Sequence, residues 1–197
     1  MVFVFCPISG ANMNPAISLA LMLTKKISVA RAVLYSVAQM LGASLGTLIC
    51  KEINPSVFSA QIGGINVMSS GVDQAGGVLA EFMGTMLLAL VVLSAVDESR
   101  KEKTLPYLPI LAPFAIGVAV IVCHLALVPI DGCSINPARS FGPALITGTW
   151  TDQWVFWVGP FLGAFGASIL HYFIFSGHNR YERKKRTDED EDGESEV

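Results

Sequence analysis

The chain has 197 residues, 52% of them hydrophobic and only 15% charged, with a formal net charge of −3. A mean hydropathy of +0.55 with so few charges excludes an ordinary soluble domain, whose helices carry polar stripes at 3.6-residue spacing. The negative balance says little about partners, because seven acidic residues crowd into Thr187–Val197.

Met1–Ile8 is short and lacks a basic leader, so it does not read as a cleavable signal peptide. Asn14-Pro15-Ala16 then opens an apolar stretch, Pro15–Thr24, and Thr24–Arg31 carries three bases. Four long apolar stretches follow at Arg31–Cys50, Gly76–Val96, Tyr107–Val128 and Trp154–Ser176. Each is close to the roughly 20 residues that cross a hydrocarbon core as a helix. Glu52–Ala75 has no base, Asp97–Lys103 has three, Val128–Gln153 has only Arg139, and Arg180–Arg186 has five. The excess of bases on one side predicts a cytoplasmic location for Thr24–Arg31, Asp97–Lys103 and the C-terminal tail, with the other two loops outside. The tail reads as a basic membrane-proximal cluster followed by a solvated acidic segment.

Cysteines at 6, 50, 123 and 133 form no CxxC pair, so neither a disulfide framework nor a metal site is expected. Gly42/Gly46 and Gly159/Gly163 each form GxxxG, a spacing that permits close helix approach.

The strongest signal is a repeat. Asn136-Pro137-Ala138 recurs 122 residues after Asn14-Pro15-Ala16, with Gly10 and Gly132 four before each Asn and Ser18 and Ser140 four after. Proline suits the first position of a helix, and asparagine suits the cap before it, where its side-chain oxygen accepts from first-turn amides. Each tripeptide thus reads as a capped helix start with an amide NH₂ left to donate into the space between the copies. Pro15–Thr24 and Pro137–Thr147 are about ten residues each, roughly 15 Å as helix, or half a membrane. The fold expected is an all-α membrane protein: four spanning helices, and two re-entrant half-helices entering from opposite faces and meeting at the midplane. Ala16 and Ala138 are small enough to let the turns approach.

A charge this close to the bilayer centre is functional by default, which singles out Arg139. His124 lies near the outer end of its span, where spacing alone leaves pore-lining and packed roles both open; His171 reads as structural. Glu81, a turn or so into its span, needs partners at that depth and reads as an acceptor for exposed loop amides.

The segments SGANMNPAIS, AEFMGT and GCSINPARSFGPA resemble the aquaporin (major intrinsic protein) family, and the likeness runs from Ser9 to about Ser176. The resemblance implies six spanning helices and two half-helices per subunit, one pore per subunit and a tetramer. It matches Asn14 and Asn136 to the paired asparagines, and Arg139 and His124 to an aromatic/arginine constriction. Cys133 matches a mercurial-sensitive position beside that constriction. Ser140, Ala144, Phe156 and Trp157 resemble the water-selective subgroup. Two departures stand out: Asn12 replaces a histidine, and the first spanning helix, most of the second and a first-repeat counterpart of Glu81 are expected to be missing. The implied organisation is a truncated first repeat at 1–51, an extracellular loop at 52–75, a second repeat at 76–176 and a cytoplasmic tail at 177–197.

The expectation is a water channel in the plasma membrane, excluding protons and ions and using no cofactor. It would not be an enzyme, and it would sit in the lipid bilayer as a homotetramer or alongside full-length subunits. The alternatives are a channel that also passes glycerol, hydrogen peroxide or ammonia, and a non-conducting subunit that modulates complete channels.

Overall fold

The computed structural model describes residues 1–97 and 108–176. The basic cluster at 180–186, the acidic tail and most of the 97–103 loop lie outside the described residues.

Short helix α1 (Val2–Ser9) ends on Gly10 in the left-handed conformation. Half-helix α2 (Pro15–Leu23) begins on the Asn14 cap with Pro15 at its first position. The spanning helix α3 (Val29–Ile53) is capped by Ser28, and a small helix α4 (Pro55–Ala60) follows in the next connection. Helix α5 (Gln74–Ala95) starts on Asp73, whose carboxylate accepts from the Gly76 amide at 2.7 Å. Helix α6 (Leu108–Asp131) is followed by the second half-helix, α7 (Pro137–Thr147). Helix α8 (Val155–His171) continues into a π turn over Tyr172–Ser176. Among the described residues, four helices are long and apolar enough to cross a membrane, in the four places the sequence marks.

The helices pack where small residues allow it. α5 lies chiefly against α8 and α6, α3 against α7, and α2 against α8 and α3. A Cβ placed on Gly159 would stand 2.6 Å from Glu81 Cβ, and one on Gly163 only 2.5 Å from the Phe82 carbonyl oxygen. The second GxxxG therefore brings α8 onto the backbone of α5. The first behaves differently: nothing among the described residues lies within 4 Å of a Cβ on Gly42 or Gly46. Fully buried residues such as Ala89, Leu93 and Phe156 fill the interior, while Leu34, Leu41, Phe114 and Leu125 point outward. Apolar residues on both sides of a helix are expected where lipid is the solvent, because the hydrophobic effect does not then drive helices together.

His171 Nε2 lies 3.4 Å from Asp97 Oδ2, joining the ends of α8 and α5 through two buried groups.

Candidate functional site

The two half-helices meet by their N-termini. Asn14 Oδ1 accepts from the Ala16 amide at 2.9 Å, and Asn136 Oδ1 from the Ala138 amide at 3.0 Å. The NH₂ groups, expected to donate into the space between the copies, each reach across it to the other repeat. Asn14 Nδ2 donates to the Ile135 carbonyl at 2.7 Å, and Asn136 Nδ2 donates to the Met13 carbonyl at 2.9 Å. An amide nitrogen carries two hydrogens, so each asparagine can still donate once after bracing the opposite loop.

The backbone leading into α7 shows why this geometry holds. Its donors can be followed one by one. The Gly132 amide bonds the Val128 carbonyl at 3.2 Å, and the Cys133 amide bonds Asp131 Oδ1 at 2.9 Å. The Ser134 and Ile135 amides bond the two oxygens of Glu81, both at 2.6 Å. The Asn136 amide bonds Ser134 Oγ at 3.3 Å. Pro137 has no N–H, and the next two amides go to the Asn136 cap. Buried backbone donors need acceptors, and here the protein itself supplies each one. Cys133 (φ 55°) and Ile135 (φ 46°) both take the left-handed conformation. For a β-branched residue that region is strained, at roughly 1–3 kcal/mol. Glu81, with no exposed surface, is what holds Ile135 there.

The first loop is held from α3. Gln39 Nε2 donates to the Asn12 carbonyl at 2.8 Å and to Ser18 Oγ at 3.1 Å, and the Tyr35 hydroxyl donates to the Ser9 carbonyl at 3.2 Å.

Asn14, Asn136, His124 and Arg139 all line one cleft of about 590 Å³, whose remaining wall is largely apolar, with Leu21, Leu88 and Ile116. His124 Nδ1 lies 2.8 Å from the Val120 carbonyl. A carbonyl can only accept, so Nδ1 carries the proton, and in the neutral ring Nε2 is left as an acceptor. Arg139 Nη1 donates to the Gly64 carbonyl at 2.7 Å and to Asn66 Oδ1 at 2.8 Å, and Nη2 reaches the Gly132 carbonyl at 3.5 Å.

Other residues singled out by the sequence fall elsewhere. Cys133, expected beside the constriction, has no exposed surface and packs in the core with Cys123 and Leu127. Its left-handed backbone turns the thiol inward rather than into the cleft. Ser140 and Ala144 are buried on α7, and Phe156 is buried on α8. Trp157 packs edge-on against Phe141 and Phe161, at centroid separations of 6.2 and 6.1 Å.

Sequence reasoning missed Gln39, Asn66, Asp131 and Ser134. The need of a membrane-depth guanidinium for several acceptors was the available signal, but nothing in the loop sequence says that Asn66 supplies one.

Comparison with known proteins decides the family. The pattern described as Major intrinsic protein matches residues 1–171. The chain belongs to the major intrinsic protein family. It is 44% identical over 184 residues to the probable aquaporin PIP2-8 of Oryza sativa subsp. japonica, covering 89% of this chain and 65% of that protein. It is 45% identical over 178 residues to the probable aquaporin PIP2-4 of Arabidopsis thaliana, covering 88% of this chain and 61% of that protein. This major intrinsic protein thus spans about two-thirds or less of the length of those relatives. In fold it is similar to the aquaglyceroporin from Plasmodium falciparum, with a TM-score of 0.75 at 23% identity, covering 88% of this chain and 76% of that one. Aquaporins are channels and not enzymes, and this member is a multi-pass membrane protein.

Proposed function

We propose that this chain forms the wall of a passive water pathway running past His124 and Arg139 and then past Asn136 and Asn14. The observation that carries the reading is the shared cleft, in which two capped helix N-termini, a histidine and an arginine meet. Each helix N-terminus presents about half a positive charge, and in a low-dielectric passage two of them facing each other oppose cations. A water molecule midway turns its oxygen toward the remaining hydrogens of Asn14 and Asn136. Its own hydrogens then point away in both directions, which breaks the donor chain that proton hopping needs. Arg139 adds a fixed positive charge, and His124 adds an acceptor.

The same reading places the protein in the plasma membrane with its C-terminus in the cytoplasm and four subunits per assembly. The distribution of bases supports the orientation, and membership of the family supports the membrane and the assembly. A second reading, a subunit that joins and modulates complete channels, is favoured by α3, whose Gly42/Gly46 face meets nothing within 4 Å among the described residues.

The test is a double substitution, His124→Ala with Arg139→Val, in the protein reconstituted in vesicles. Glycerol uptake should rise well above that of the parent chain. An unchanged glycerol rate, with water flux retained, would place the constriction elsewhere.

A further inference from the structure

The group that holds Arg139 comes from the connection between α4 and α5, a segment without charge between Asn54 and Val72. We propose that Asn66 is a positioning residue that fixes the Arg139 guanidinium in the cleft, with its own carboxamide oriented by the Asp131 carbonyl and bonded to the Ser134–Ser140 hydroxyl pair. This rests on the reading that Arg139 faces the permeant.

Three contacts hold the side chain of Asn66, which is 4% exposed. Its Oδ1 receives Arg139 Nη1 at 2.8 Å and Ser140 Oγ at 2.7 Å, and its Nδ2 donates to the Asp131 carbonyl at 3.0 Å. Flipping the amide would set NH₂ against the guanidinium and oxygen against the Asp131 carbonyl, so only one orientation satisfies both partners, and Ser140, able to donate or accept, follows it. Oδ1 has no hydrogen, so the Ser140 proton must point to it. Ser140 has no second proton, so Ser134, bonded to it on the other side at 2.5 Å, supplies its single proton there in preference to the more distant Asn136 carbonyl at 3.0 Å. The direction of every bond from Ser134 through Ser140 and Asn66 to Arg139 follows. The chain is anchored at its far end, because the Ser134 amide is held by Glu81. Gly132 makes room for the arrangement: a Cβ there would lie 3.2 Å from Asn66 Nδ2, at a φ of +82°.

The consequence is mechanical. A guanidinium on a four-bond side chain is mobile unless its donors are occupied. Here Asn66, together with the Gly64 carbonyl, occupies Nη1, so the charge has one position rather than a range. A movable arginine would widen the passage intermittently and admit larger solutes.

The experiment uses the full chain in lipid nanodiscs with ¹⁵N-guanidinium-labelled arginine, and Arg139→Lys to identify the signal. Rotation of the Arg139 guanidinium is read from exchange between its two terminal nitrogens. The parent chain should show slow exchange. Asn66→Ala should speed it roughly tenfold or more, as expected on losing one hydrogen bond to a charged group. Asn66→Asp keeps the acceptor oxygens and should retain slow exchange, whether or not Asn66→Ala folds. Unchanged exchange in Asn66→Ala, or fast exchange in Asn66→Asp, would overturn the proposal. The ratio of glycerol to water flux separates it from the reading it rests on. Faster rotation with an unchanged ratio upholds Asn66 as the positioner of Arg139 and counts against Arg139 as the selective element.

Discussion

Replacing Glu81 is the sharpest perturbation of the site that leaves the cleft lining untouched. Its two oxygens each accept a backbone amide at 2.6 Å, in a side chain with no exposed surface. Glu81→Ala strands the Ser134 and Ile135 amides in the interior. Each buried donor left without a partner costs about 1–3 kcal/mol, so the loss should be roughly 2–6 kcal/mol. Part of it is returned when Ile135 relaxes from its left-handed conformation. For a protein of this size about 2–4 °C accompanies each kcal/mol, which puts the shift in melting temperature at roughly 5–20 °C. Glu81→Gln keeps one oxygen but turns an NH₂ toward the other amide, donor against donor, and should fall between the two. The assay is thermal unfolding in detergent, followed by a thiol-reactive dye that reports exposure of the buried Cys123 and Cys133. A shift under about 2 °C for Glu81→Ala would refute the claim that this carboxyl group holds the second loop in place.

Other substitutions separate packing from chemistry. Gly163→Val drives a side chain into the α5 backbone, where even a Cβ would stand 2.5 Å from the Phe82 oxygen, and should cost about 1–3 kcal/mol or more by the same melting assay. Gly46→Ala meets nothing within 4 Å and should be neutral or slightly stabilising in detergent, since alanine favours helix over glycine; a large loss there would reveal a hidden contact on α3. In the folded protein a maleimide should label Cys6 and Cys50, which are exposed, and spare Cys123 and Cys133. Mass spectrometry showing four labels before unfolding would contradict the inward turn of the Cys133 thiol.

What the sequence revealed, and what it concealed, divides along the range of the interactions. Spans and half-helices were legible because membrane crossing needs long apolar runs and because Asn-Pro caps are local. The repeat also named the two loops that the structure brings together. Cap chemistry alone does not make a site, however. Asn54-Pro55-Ser56 starts α4 with the same physics, Asn54 Oδ1 accepting from the Val57 amide at 3.1 Å, yet buries none of its helix. Position at the centre of the fold, not the tripeptide, distinguishes Asn14 and Asn136. The cross-repeat bonds of those asparagines depend on a separation of more than 120 residues, and local rules could not assign them. Asn66 was illegible for the same reason: its partners are 65 to 74 residues away. Cys133 shows the converse limit. Its place in the sequence pointed to the passage, but a left-handed φ, sustained by Asp131 and Glu81 around it, turned the thiol into the core.

The most direct test of the central claim is stopped-flow osmotic shrinkage of vesicles carrying this 197-residue chain, with glycerol uptake and proton leak recorded in parallel. A selective pathway gives water flux well above protein-free vesicles, with neither glycerol uptake nor proton leak above theirs. Water flux equal to that of protein-free vesicles, from correctly inserted protein, would contradict the claim that this chain forms a water pathway by itself.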